Sequence, residues 1–233
     1  MMPSIINVLK DSFRLLRQQP RFFTPKLVSA SVGAAWFIGL FSGTGPLYLY
    51  AATGPLLALL ALFVSVMLAA MVEKKGSGSV LRKGFVEAGR KWRKILLSFL
   101  AFTLAAVVIY IPFLAGFVLY YTLGGAVFLA AGALLSLLLL SGFSFLSYFF
   151  PISLLQKGSV SGGFLDSAST ALSNSREVVP LTLLSFALLG AASLTPDAGM
   201  KALGYAGFFA MRIVSAVATT YIFVVSPNYY LRS

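Results

Sequence analysis

Residues 95–156 read ILLSFLAFTLAAVVIYIPFLAGFVLYYTLGGAVFLAAGALLSLLLLSGFSFLSYFFPISLLQ, 62 consecutive positions without a charged side chain. A helix needs about 20 apolar residues to cross the roughly 30 Å hydrocarbon layer of a bilayer. The run is therefore long enough for two crossings, and Gly124-Gly125 near its middle is the best turn. Two spans are expected, Ile95–Leu123 with a kink at Pro112, and Ala126–Leu155.

Outward from this run the same composition persists. The chain of 233 residues is 59% hydrophobic and 10% charged, with a mean hydropathy of +0.92. A soluble domain is about half apolar and about a quarter charged. One water-soluble core of this size cannot hide the excess, so the chain reads as an integral membrane protein. Further apolar runs predict spans at Phe22–Phe41, Leu47–Val72, Val178–Leu194 and Leu203–Ser226, six in all. Gly54-Pro55 is expected to end a leading turn or kink the second span. Thr195-Pro196-Asp197-Ala198-Gly199 is expected to be the turn between the fifth and sixth. The fold class is all-α, a polytopic helical bundle forming one membrane domain over residues 1–233.

Charge sets the expected orientation. There are 18 basic and 6 acidic residues, net +12. Sixteen of the basic residues flank the spans on one side. Lys10, Arg14, Arg17, Arg21 and Lys26 belong to the N-terminal stretch, and eight lie between Lys74 and Lys94. Lys157, Arg176 and Arg232 complete the set. Lys201 alone flanks the other side, and Arg212 falls inside a span. The positive-inside rule then puts both termini in the cytoplasm, with Ser77 and Ser159, and puts Ala198 outside. The first 21 residues, from Met1, are polar and amphipathic and do not have the form of a signal peptide. The expected location is the cytoplasmic membrane.

Three connectors are expected to be amphipathic interfacial helices. In the first, Ile5, Ile6, Leu9, Phe13 and Leu16 share a face opposite Lys10, Asp11, Arg14, Arg17 and Gln18. In the second, Leu81, Phe85, Ala88, Trp92 and Ile95 make a narrow stripe. Arg82, Lys83, Glu87, Arg90, Arg93 and Lys94 cover the rest. The third, Val160 to Val178, is weaker, with Phe164, Ala168 and Ala171 on one face. Gly78-Ser79-Val80 before Gly84-Phe85 matches Gly158-Ser159-Val160 before Gly163-Phe164. A threefold internal repeat is therefore expected, with units 1–75, 76–156 and 157–233, each an interfacial helix followed by a helical hairpin.

Two stretches carry a resemblance. They are Ser12-Phe13-Arg14-Leu15-Leu16-Arg17-Gln18-Gln19-Pro20, and Pro151 followed by Gly163-Phe164-Leu165-Asp166-Ser167-Ala168. With these the chain resembles prokaryotic six-span membrane families, archaeal ones among them. It is similar to the membrane domain attached to some glycerophosphodiester phosphodiesterases. The resemblance implies a fold and not a reaction, because no phosphodiesterase domain is present in this sequence.

Function is less legible. Without Cys or His there is no thiolate, imidazole base or common zinc site. No acid lies in a span, and no phosphate loop, nucleophile elbow or carboxylate pair appears. No enzyme activity, cofactor or metal is expected. Arg212 is the candidate intramembrane site. A charge at that depth costs about 2.5–3.5 kcal/mol or more and normally faces protein or water. It reads as structural, as an anion or lipid-phosphate ligand, or as a residue snorkelling outward; it is expected to face the bundle interior, because Phe208 and Phe209 make the lipid side apolar. Arg14, Arg17, Arg82, Lys83, Arg90, Lys91, Arg93 and Lys94, with Trp92, are expected to contact anionic lipid headgroups rather than nucleic acid. The small residues Ser29/Gly33, Ala30/Ala34 and Ser31/Ala35 fit close helix packing, inside the chain or against a second copy.

Two functions are expected from this. In the first, the protein organises the bilayer or a membrane complex through its basic interfacial helices, with anionic lipids, a homo-oligomer or another membrane protein as partner. In the second, it is a small transporter or lipid-handling protein with a site at Arg212. Dry packing around Arg212 favours the first, and a cavity with converging hydroxyls favours the second.

Overall fold

The computed structural model describes residues 5–76 and 78–232. Met1 and Ser77, which carry the signal-peptide reading and part of the orientation, lie outside the described residues. The described chain is helical, without a strand. α1 is Ile5–Gln18, followed by a 3-10 turn at Pro20–Phe23. α2 is Thr24–Phe41, α3 Leu47–Glu73, α4 Val80–Arg90 and α5 Trp92–Leu123. α6 is Ala126–Leu146, α7 Phe150–Gln156, α8 Val160–Ser173 and α9 Ser175–Tyr230.

Among the described residues five helical stretches are long and apolar enough to cross a membrane: Pro20–Phe41, Leu47–Glu73, Trp92–Leu123, Ala126–Gln156 and Ser175–Tyr230. The turn at Gly124 is where the sequence places it. Its φ of +77° is the left-handed conformation that glycine adopts without strain, and its N–H closes α5 on the Tyr120 carbonyl. α5 and α6 then approach closely. A Cβ on Gly116 would strike the Phe128 carbonyl, and one on Gly132 the Pro112 carbonyl. α5 runs through Pro112, and the Phe113 N–H beside it donates to Ser136 Oγ at 3.1 Å.

The expected turn at Thr195–Gly199 is not one. α9 is helical through it and leaves helical geometry only at Leu203 and Gly204, where Gly204 has φ +61°. A straight helix of 56 residues would measure about 84 Å. Instead its arms, 175–202 and 205–230, fold against each other. A Cβ on Gly199 or Gly207 would strike the other's carbonyl. Pro196 does not break the first arm, although it cannot donate to the Ala192 carbonyl. The hydroxyls of Ser215 at 2.9 Å and Thr195 at 3.1 Å lie within reach of that oxygen. A neighbouring helix thus replaces the missing donor, as bilayer-spanning prolines require.

The fourth expected span is also divided. α6 ends at Leu146 and α7 starts at Phe150, beside Pro151. Ser167 of α8 bridges the break, accepting from the Phe149 N–H at 3.1 Å and donating to the Leu146 carbonyl at 2.8 Å.

The buried core sits at one end of the bundle, around the last turns of α3 from Val64 to Val72. α1, α4, α7, α8 and the end of α9 pack there. Away from that end, α5 and α6 expose Leu104, Val107, Leu134 and Leu137. The connector helices bury only part of the apolar stripes expected at the membrane interface. α1 buries Val8, Ser12, Leu15 and Leu16, leaving Ile6 and Phe13 exposed. α4 buries Val80, Gly84 and Ala88, leaving Phe85 and Trp92 exposed. α8 buries Gly163, Ser167 and Ala171. A small residue on each helix, Ser12, Gly84 or Ser167, lies in the buried face, while Phe13, Phe85 and Trp92 stay at the rim.

Candidate functional site

One face of α2 carries Lys26, Ser29, Ala30, Gly33, Trp36 and Phe37, the i, i+3, i+4, i+7 spacing of a helical stripe. This stripe faces α3 and both arms of α9 across a cavity of about 520 Å³. α3 contributes Gly54, Leu57, Ala58 and Ala61 to its wall. The first arm of α9 contributes Leu189, Ala192 and Ser193, and the second Arg212, Ser215, Ala216 and Thr219. The lining holds two cations, four hydroxyls and no carboxylate.

Arg212 stands inside this cavity. Its guanidinium carbon lies 5.1 Å from the ring centre of Phe37 and 5.8 Å from that of Phe208. Phe208 and Arg212 are four residues apart, hence on one helix face, and Phe208 is buried. This corrects the expectation that Phe208 marks the lipid side; Phe209 does lie exposed. Arg212 Nε is buried without a hydrogen-bond partner among the described residues. A cation–π contact is worth about 0.5–2 kcal/mol. Two such contacts offset much of the cost of one buried charge, but the cavity holds a second.

That second cation is Lys26. Its ammonium lies 3.9 Å from the ring centre of Phe223. Counted as a flanking charge, it is instead part of α2 and of the cavity wall. The signal was present in the sequence, since Lys26 already falls within the predicted span Phe22–Phe41. The Arg212 guanidinium reaches Gly33, 3.8 Å from where a Cβ there would stand, and Gly33 is seven residues further on. That is roughly 10 Å along the helix. Two like charges at that separation repel by on the order of 1–2 kcal/mol at an effective dielectric constant near 20. The small residues Ser29, Ala30 and Gly33 thus line this site on the face of α2 that turns to α3 and α9. Trp36 is held by its Nε1–H on Thr53 Oγ1 at 2.8 Å.

The headgroup candidates lie apart from this cavity and are divided among themselves. Arg82, Lys83 and Arg90 of α4 meet Lys74 around a recess of about 390 Å³. Arg14 and Arg17 are exposed on α1, with Arg14 3.9 Å from Asp11. Lys91, Trp92 and Arg93 lie at the α4–α5 junction, where Arg93 sits 5.6 Å from the Trp92 ring centre. Lys94 turns towards α8 and donates to the Lys157 carbonyl at 3.2 Å.

Near the chain ends an ionic rim ties the short helices together. Arg232 contacts Asp11 at 2.6 Å and, by its hydrogen bond and charge, holds that carboxyl below the ordinary carboxylate value. Burial pushes the Lys75 ammonium down. Burial also acts to raise Asp166, but hydrogen bonds from Tyr230 and Lys157 outweigh it and leave the carboxyl lowered.

No known family, curated protein or solved structure matches this chain.

Proposed function

We propose that this chain is a non-enzymatic, multi-pass protein of the cytoplasmic membrane that handles lipid, holding one anionic amphiphile in the Lys26–Arg212 cavity. The observation that carries this reading is the lining: two cations and four hydroxyls with no carboxylate among them, the charge of Asp197 reaching Arg212 only from outside the lining. A carboxylate or phosphate headgroup would relieve both charges at once, and the apolar walls suit a hydrocarbon chain. The lining offers no imidazole, thiol or carboxylate as a general base, which supports binding or transfer rather than catalysis.

Six crossings, with both termini cytoplasmic, belong to the same proposal. The fold-back of α9 at Leu203-Gly204 supports counting that helix as two crossings. A second reading, in which basic helices organise the surrounding bilayer or a membrane complex, draws on exposed Phe13, Phe85 and Trp92 beside Arg14, Arg82 and Arg93. The buried small residues Ser12, Gly84 and Gly163, each followed by a phenylalanine on its connector helix, support the threefold repeat.

The test compares oleate with oleyl alcohol, which has the same chain without the charge, on the purified protein in detergent. Oleate should raise the unfolding temperature and the alcohol should not. Arg212→Leu and Lys26→Leu should each remove the oleate effect while keeping the helical content of the unliganded protein. Equal stabilisation by the alcohol, or an undiminished oleate effect in both variants, would overturn the reading.

A further inference from the structure

The basic recess on α4 does not stand alone. Arg82 lines it and also lines an apolar groove of about 420 Å³ between α2, α3 and α4. In that groove Phe63 and Phe85 meet edge to face, their ring centres 5.8 Å apart. Val28, Leu60 and Leu81 extend its apolar wall. The recess gathers Lys74, Arg82, Lys83 and Arg90 around Glu87, which lies 3.9 Å from Arg90, while Lys74 lies 3.8 Å from Glu73. A strongly positive cup is thus joined to a hydrocarbon-lined trough through a single arginine. The junction lies where α2 begins and α3 ends, the level at which headgroups meet acyl chains if these helices cross the bilayer.

We infer that this cup and trough form a discrete site for one anionic phospholipid of the surrounding bilayer. Its phosphate sits among Arg82, Lys83 and Arg90, and one acyl chain runs along Phe63 and Phe85. Arg82 is the pivot: its guanidinium takes the phosphate by charge-assisted hydrogen bonds while its stem lies on the apolar groove. The site selects among the basic residues of the second connector. Lys91 and Arg93 line neither the cup nor the trough, so they contribute only general attraction to an anionic surface. This inference does not rest on the Lys26–Arg212 cavity.

The experiment is native mass spectrometry of the full chain released from detergent with added phosphatidylglycerol or phosphatidylcholine. One phosphatidylglycerol should be retained in preference to phosphatidylcholine. The double substitution Arg82→Ala/Lys83→Ala should weaken retention about tenfold or more, the scale of losing charge-assisted hydrogen bonds. The charge-matched pair Lys91→Ala/Arg93→Ala should leave retention unchanged, and Arg212→Leu should leave unchanged the part of retention that Arg82→Ala/Lys83→Ala removes. Filling the trough with Val28→Trp should weaken retention with every charge kept. All four variants should keep the wild-type helical content. Equal losses in the two charge-matched pairs would reduce the effect to diffuse attraction. Equal retention of phosphatidylcholine, or displacement of the lipid by water-soluble glycerol phosphate at the same concentration, would overturn the site. Loss of retention in Arg212→Leu alone would assign the lipid to the other cavity.

Discussion

The Asn228 side-chain amide donates to Ser12 Oγ at 2.9 Å, joining the last helix to the first across 216 positions of sequence. The carbonyl of the same amide accepts from Lys75 Nζ at 3.3 Å. Asn228 is buried, so neither bond is readily exchanged for one to water. Asn228→Leu should lower stability in detergent by about 1–3 kcal/mol, the cost of stranding buried polar groups. Adding Ser12→Ala should cost less in that background than in the wild type. Thermal unfolding of the two single variants and the double variant measures the coupling.

Acid should loosen the ionic rim. Asp11 and Asp166 both have carboxyls held below their ordinary value of 3.8. Groups shifted in this direction contribute stability above the unfolded value and lose it as pH falls through the folded one. The unfolding temperature should therefore be flat near neutrality and fall below about pH 4. Asp166→Asn, which removes the charge facing Lys157 at 2.9 Å, should lower the plateau and shallow the acid limb. A steeper acid limb in that variant would contradict the assignment.

The glycines of the α5–α6 contact should be intolerant. Gly116→Ala or Gly132→Ala forces a methyl into a carbonyl oxygen of the opposite helix. Overpacking of this kind costs about 1–3 kcal/mol. Gly89→Ala is the control, since nothing lies near its missing Cβ. It should be neutral or stabilise α4 by up to about 1 kcal/mol. Detergent unfolding temperatures of the three variants rank the effects.

Orientation is accessible because the chain has no native cysteine. In intact cells a membrane-impermeant maleimide should label Ala202→Cys, beside the α9 fold-back. It should reach Ser159→Cys, at the start of α8, only after the membrane is opened. The reverse pattern would invert the topology.

The chain's long apolar runs made its helices legible, and Gly124-Gly125 was read correctly because no side chain competes with glycine's left-handed geometry there. Pro196 misled for a physical reason. In water a proline ends a helix, but here Thr195 and Ser215 lie within reach of the carbonyl it strands. The connector helices were legible only by their outer faces. Phe13 and Phe85, expected at the membrane interface, are exposed, whereas the faces packed on the core carry Ser12, Gly84 and Ser167, which no apolar stripe marks. Arg212 was found because an isolated charge in an apolar run is conspicuous. Lys26 was missed because it lies near a span end, where lysines are usual, and only the tertiary fold shows that it shares Arg212's cavity.

The fold-back of α9 carries one more consequence. Gly207 is seated against Gly199, and Arg212 stands five residues beyond it. One residue inserted or deleted between Gly204 and Gly207 would turn the second arm by about 100° relative to that seat. The guanidinium would then swing away from Phe37 and from the cavity it shares with Lys26. The tip of the hairpin is therefore bound twice, in identity by the left-handed turn at Gly204 and in length by the register that keeps Arg212 in the cavity.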